Sequence, residues 1–139
     1  MQQLIEFTMN HWILVTAFVL IAAYLIYTLA LGDKGAVDPA AATEMINHQQ
    51  AVVVDVRPSA DFHKGHIINA INIPSNGFNN QISTLNKHKD KPIIISCRSG
   101  AQSSAACQQL KKSGFEQVYN LKGGILAWQN ANLPITRKK

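Results

Sequence analysis

Pro92-Ile93-Ile94-Ile95-Ser96 runs directly into Cys97-Arg98-Ser99-Gly100-Ala101-Gln102, and Ser103-Ser104-Ala105-Ala106 then opens a helical stretch. A short apolar, β-branched run reads as a buried strand. The glycine-containing turn and the helix that follow restrict it to strand–turn–helix, the repeating unit of an α/β domain. Cys97 then sits at the carboxyl end of the strand, facing a helix N-terminus. Unpaired backbone N–H groups and the positive end of the helix dipole converge there. Both favour a thiolate, so Cys97 is a candidate nucleophile, with Arg98 as a neighbouring positive charge. The competing reading is an inert buried thiol. The small residues around Cys97 oppose it, because they leave the sulfur reachable.

The remaining pattern extends the same architecture. Asp38-Pro39 is a helix start, with an acid at the N-cap and proline at the first helical position. Ala51 to Val56 is a β-branched strand broken by Arg57-Pro58-Ser59. Asp61 to Ile68 reads as a turn and short helix, and Ala70 to Ile73 as a short strand. Phe78, Ile82 and Leu85 share a helical face. A helix from about Ser103 to Lys112 ends at Gly114, Gln117 to Leu121 forms the last strand, and Gly123 to Trp128 begins a terminal helix. Strands alternating with helices predict a mainly parallel sheet, whose ligands bind beyond the carboxyl ends of the strands. Asp55-Val56-Arg57 and the Cys97 loop therefore belong on one edge. Asp55 is expected to brace that edge, whereas Arg57 either pairs with it or faces substrate. His66 is expected to hold its loop by a hydrogen bond.

A second constraint lies near the start of the 139-residue chain. Trp12 to Leu31 carries no charge, and a helix of that length spans roughly 30 Å, the thickness of a bilayer core. Trp12 at one end and Tyr24 and Tyr27 toward the other are placed as interfacial anchors. The run exceeds the usual ~7–15-residue core of a signal peptide, and no Lys or Arg precedes it. A small-residue site near Thr28-Leu29-Ala30 keeps cleavage open as the alternative. All 13 Lys and Arg follow the run, beginning at Lys34. The positive-inside rule then puts the folded part in the cytoplasm, which also suits a free reactive thiol. The divisions are an N-terminal tail at 1–11, a transmembrane helix at 12–31, a linker at 32–37, a folded domain at 38–134 and a basic tail at 135–139.

Four ordered segments carry a family resemblance. They are Val53-Val54-Asp55-Val56-Arg57; Gly65-His66-Ile67 with Ala70 and Asn72-Ile73-Pro74; Cys97-Arg98-Ser99-Gly100; and Gly123-Gly124-Ile125-Leu126-Ala127-Trp128. Together they resemble a single rhodanese-like domain behind a membrane anchor, an arrangement found in a group of small bacterial membrane proteins. The resemblance implies an α/β rhodanese-like fold, a mainly parallel sheet flanked by helices and preceded by one N-terminal transmembrane helix. It implies a sulfurtransferase in which Cys97 accepts a sulfane sulfur as a persulfide and passes it to a thiol or protein acceptor. The active loop would be Arg98, Ser99, Gly100, Ala101, Gln102 and Ser103, supported by Asp55, Arg57 and His66, with no metal and no organic cofactor. The sixth loop position, often Arg or Thr in the family, is Gln102 here. A neutral amide adds no charge, so a protein persulfide becomes a plausible donor beside a small anion such as thiosulfate.

Other chemistries lack their residues. A cysteine phosphatase needs arginine six positions after the cysteine to grip phosphate, and that position is Ser103. A dithiol motif needs Cys-x-x-Cys, whereas Cys107 lies ten residues on, as a buried small hydrophobe or a resolving thiol. His63 and His66 have no further ligands at zinc spacing. Lys87 to Lys91 is a solvated turn without the interleaved aromatics of a nucleic-acid site, so no nucleic-acid partner is expected. The alternative from another class is a non-catalytic membrane-tethered adaptor. Its lipid-embedded helix would contact other membrane proteins through Thr16, Ala17, Ala22 and Ala23.

Overall fold

The computed structural model describes residues 1–30 and 35–137. They form two compact units, which meet in sequence at Lys34–Gly35. In the first unit, α1 (Gln2–Asn10) precedes α2 (Trp12–Ala30), so the residues read as an N-terminal tail are helical. Helix α2 is long and apolar enough to cross a membrane, and none of its side chains is buried in protein. Its two threonine hydroxyls bond back to carbonyls of the same helix, Thr16 to Trp12 at 2.7 Å and Thr28 to Leu25 at 2.9 Å. They therefore need no outside partner in an apolar setting. Leu31 and the linker residues Gly32-Asp33-Lys34 lie outside the described residues, as do Lys138 and Lys139.

The second unit runs in chain order through β1 (Ala36–Val37), α3 (Pro39–Gln49), β2 (Val52–Asp55), α4 (Ser59–Lys64), β3 (His66–Ile67), β4 (Ile71–Asn72) and α5 (Phe78–Gln81). A 3₁₀ helix (Ile82–His88) leads to β5 (Ile93–Ser96), α6 (Ala101–Lys112), β6 (Val118–Leu121), α7 (Gly124–Asn130) and β7 (Ile135–Thr136). Five strands make one parallel sheet in the order β1-β6-β5-β2-β4. Strand β5 is central and wholly buried.

The alternation of side chains along the strands builds two cores. Val54, Ile93 and Ile95 face the layer of Phe78, Leu85, Ala106 and Leu110. Val53 and Ile94 face Ala42, Met45, Ile125 and Trp128. Helices thus cover both faces, which is why β5 reads as an unbroken apolar run. The predicted stops hold locally. Asp38 accepts a 2.7 Å hydrogen bond from the Ala41 amide and Pro39 is the first helical residue. Gly114, with φ +92°, ends α6. The Phe115 amide bonds Leu110 O and the Gly114 amide bonds Lys111 O, a paired closure that also seats Phe115 in the core beside Leu110.

Three short strands depart from the sequence reading. Ala36–Val37, read as linker, adds a parallel edge strand against Asn120–Leu121. His66–Ile67, read within a turn, pairs antiparallel with Ile135–Thr136, which was read as tail. The ordered chain therefore continues past Pro134, and Arg137 Nε donates to Lys64 O at 3.1 Å. Two-residue strands carry no periodicity of their own, so only their partners define them.

Helix α7 ties the sheet's carboxyl edge together. Its first amides reach back to the loop after β5: Ile125 N–H to Cys97 O at 2.8 Å and Leu126 N–H to Arg98 O at 3.3 Å. Gly124 permits this approach. It has φ +59°, and a Cβ there would stand 2.4 Å from Cys97 O and 2.7 Å from the Arg98 carbonyl carbon. Gly124→Ala is expected to destabilise the protein by about 1–3 kcal/mol through overpacking and left-handed strain. Urea unfolding measures this, and a change below about 0.5 kcal/mol, the range of inert surface substitutions, would contradict the contact.

Candidate active site

Sequence and topology bring the ends of β2, β5 and β6 to one edge. After β2, Asp55 and Arg57 form a buried pair. Arg57 Nη2 is 2.7 Å from Asp55 Oδ2, and Nε lies 3.0 Å from both carboxylate oxygens. The carboxylate also accepts the Arg57 amide at 3.0 Å, and Nη2 donates to Gly65 O at 2.8 Å. A buried guanidinium satisfied this way is fixed in place. Of the two readings of Arg57, the geometry gives the brace to Asp55, although its side chain still borders the cavity described below. Asn72 extends the brace from β4, its Nδ2 donating to Asp55 O at 3.0 Å and Arg57 O at 2.9 Å.

After β5 the chain curls around a sulfur. Gly100 adopts φ +97° at the N-cap of α6, and its amide points at Cys97 Sγ from 2.9 Å. Ser103, fully buried in the first turns of α6, places its hydroxyl 3.2 Å from the same sulfur. Burial pushes the Cys97 thiol pKa up. The Ser103 hydroxyl and the backbone N–H groups of Ser103, Gly100 and Ser99 outweigh it and hold the pKa below the ordinary thiol value. The donors expected at this helix start are therefore the Gly100, Ser99 and Ser103 amides and the Ser103 hydroxyl. The expected accessibility is modified: Cys97 is only 1 % exposed, so its sulfur is sunk rather than open.

In front of it lies a cavity of about 360 Å³ bordered by Arg57, Asp61, Cys97, Arg98, Ser99 and Gln102. Ala101, the first residue of α6, completes this side. Arg98 is exposed, and among the described residues no carboxylate pairs with it. It also borders a second concavity of about 320 Å³, shared with Lys64, Gly65, Ile125, Leu126 and Gln129. Gln102 sits at the rim as an uncharged amide. His66 stands apart. It is buried in β3, stacked on Phe62 with ring centroids 3.7 Å apart, its Nδ1 2.8 Å from Phe62 O. A ring nitrogen facing a carbonyl must donate, so this is the loop-holding bond expected of His66. Its ring borders neither cavity.

Asn120 at the end of β6 belongs to the site and was not found from sequence. Its Nδ2 donates to Gly100 O at 3.1 Å and its Oδ1 accepts from Ser103 Oγ. The role of Gly124, close packing against the loop carbonyls, likewise has no signal in its own motif. Cys107 is buried in the core layer over one sheet face. Among the described residues, no group of three His, Cys, Asp or Glu side chains is placed to hold a metal ion.

Comparison with known proteins identifies the family. The family described as rhodanese-like domain matches residues 38–131. The chain is 42% identical to the uncharacterized protein YibN of Escherichia coli (strain K12), over 100% of both chains. It is 35% identical to the thiosulfate sulfurtransferase GlpE of Vibrio cholerae, across 71% of this chain and 92% of that one. Among solved structures, a rhodanese-related protein from Thermoplasma volcanium superposes with a TM-score of 0.68 at 28% identity, covering 74% of this chain and 98% of the other. The segment that carries the cysteine loop, the braced β2 edge and the glycine contact behind them lies within the matched residues, and the chain belongs to the rhodanese-like family.

Proposed function

We propose that this protein is a membrane-anchored sulfurtransferase in which Cys97 carries the sulfur. One observation supports this reading above the others: a sulfur held by loop amides and a hydroxyl, bordering a cavity that it shares with Arg98, an arginine without a carboxylate partner among the described residues. The Cys97 thiolate attacks the outer, sulfane sulfur of a donor. With thiosulfate, the bond from that sulfur to the sulfonate sulfur breaks, and its electron pair leaves with sulfite. Cys97 is left as a persulfide. An acceptor thiolate then attacks the outer persulfide sulfur, taking it and returning Cys97 as a thiolate. Donor, leaving group and persulfide are all anionic, so the loop N–H groups suit every stage. Arg98 attracts the donor, and Gln102 at the rim offers hydrogen bonds without charge. That leaves room for a protein persulfide as donor beside thiosulfate.

The same reading tethers the chain to the bacterial inner membrane through residues 12–31 and puts the catalytic domain in the cytoplasm. It is supported by the apolarity of α2 and by the positive charges that begin only at Lys34. Alkaline extraction of membranes is expected to leave the full chain in the pellet and to release a chain beginning at Gly35. Release of the full chain would overturn the anchor.

Two measurements test the chemistry on the full chain in detergent. The pH midpoint for alkylation of Cys97 by iodoacetamide is expected below the ordinary thiol value of about 8.5, because the loop donors favour the thiolate. A midpoint at or above that value would remove the activation argument. Intact-mass spectrometry after thiosulfate, or after a protein persulfide donor, is expected to show a gain of about 32 Da. The gain should be lost on reduction and absent in Cys97→Ser. No adduct with either donor would exclude sulfur transfer and favour the adaptor role.

A further inference from the structure

The Ser103 hydroxyl has one proton and three acceptors around it. Its oxygen lies 3.2 Å from Cys97 Sγ, 3.1 Å from Gly100 O, and closest of all to Asn120 Oδ1. The orientation of the Asn120 amide follows from its other contact. Nδ2 stands 3.1 Å from Gly100 O, a carbonyl that can only accept, so the nitrogen faces Gly100 and the oxygen faces Ser103. With Cys97 as a thiol, every group is satisfied in one chain of bonds. The S–H donates to Ser103 Oγ, the Ser103 hydroxyl to Asn120 Oδ1, and the Asn120 N–H to Gly100 O. With Cys97 as a thiolate, Sγ and Asn120 Oδ1 both require the same Ser103 proton.

We propose that Asn120 is a positioning residue that competes with the Cys97 sulfur for the Ser103 proton and thereby restrains formation of the thiolate. The proposal rests on the reading of Cys97 as the nucleophile. Deprotonation then has two parts. The S–H proton leaves through the cavity to solvent, and the Ser103 hydroxyl rotates from Asn120 Oδ1 to Sγ. No bond between heavy atoms changes and nothing is oxidised or reduced. The restraint has a chemical use, because a thiolate's nucleophilicity falls as its pKa falls. A site whose donors all bound the sulfur without competition would hold a stable thiolate that attacks slowly.

The charged groups that border the cavity together with Cys97 are Asp61, the adjacent Arg98, and Arg57, which is paired with Asp55. Residues 101–106 of α6 contain no charged residue, and neither does β6. Substitutions at 103 and 120 leave all these charges in place.

The test is the pH profile of Cys97 alkylation, read by peptide mass mapping on the full chain in detergent. Asn120→Ala is expected to lower the midpoint by about half a unit or more, the scale of one neutral hydrogen bond. Asn120→Asp, of the same size and a stronger acceptor, is expected to raise it. In a Ser103→Ala background, Asn120→Ala is expected to change nothing, and the rise with Asn120→Asp to shrink. A midpoint that is unchanged or raised in Asn120→Ala would overturn the proposal. So would an equal shift with and without Ser103, since that would mean Asn120 acts only by tethering Gly100. The two substitutions at 120 carry opposite expected signs, so a folding defect in one leaves the other decisive. Alkylation needs no sulfur donor, so failure here is distinct from failure of persulfide formation.

Discussion

A thiolate survives inside a protein only where fixed donors replace the water it has lost. That requirement organises the whole carboxyl edge of the sheet. Cys97 follows a strand buried on both faces, so its sulfur starts out desolvated. Left there, it would be inert. The curl of residues 98–100 turns backbone amides inward, and α6 begins where Ser103 can complete the shell. The curl in turn depends on what lies behind it. Helix α7 starts with two amides bonded to the loop carbonyls, at a contact that only glycine allows.

The braced pair next door divides the labour of the cations. Arg57 is committed to Asp55 and Gly65 O, and its charge is compensated within the protein. Arg98 is exposed and borders both concavities. Arg57 borders them too, but of the two cations only Arg98 lacks a carboxylate partner among the described residues. Lys64, across the second concavity, is partly engaged with Asp61 at 3.6 Å.

The central sheet was legible because its signals are local. Val52 to Val54 and Ile93 to Ile95 are β-branched, continuous runs that end at Asp55 and Ser96 and are followed by turn residues. The Asp38-Pro39 start and the Gly114 stop are written in single residues whose physics is unambiguous. The strand–loop–helix around Cys97 could be read for the same reason: strand, small residues and helix start follow each other directly. What escaped was long-range. Strands β1, β3 and β7 exist only because another segment offers hydrogen bonds, and a two-residue stretch contains no period. Asn120 looks like an ordinary polar end to a strand; its role comes from the parallel register that sets β6 beside β5 and the loop after it. The sunken sulfur escaped too. Small neighbours suggested openness, but the loop folds over the sulfur, with the Gly100 amide and the Ser103 hydroxyl against it and Gly124 of α7 packed on the loop carbonyls.

Strand order has a consequence for when the site comes into being. Strand β1 waits for β6, a partner more than eighty residues further along, and β5 is synthesised before the neighbour that supplies Asn120. Closing such distant contacts is slow relative to forming helices and local turns. Asn120 and Gly124, the two residues behind the loop, also emerge from the ribosome after Cys97. During synthesis, then, Cys97 leaves the ribosome as an ordinary thiol. The shell of donors around its sulfur is complete only when these later walls close, so the environment of Cys97 is a product of the finished fold rather than of its own segment.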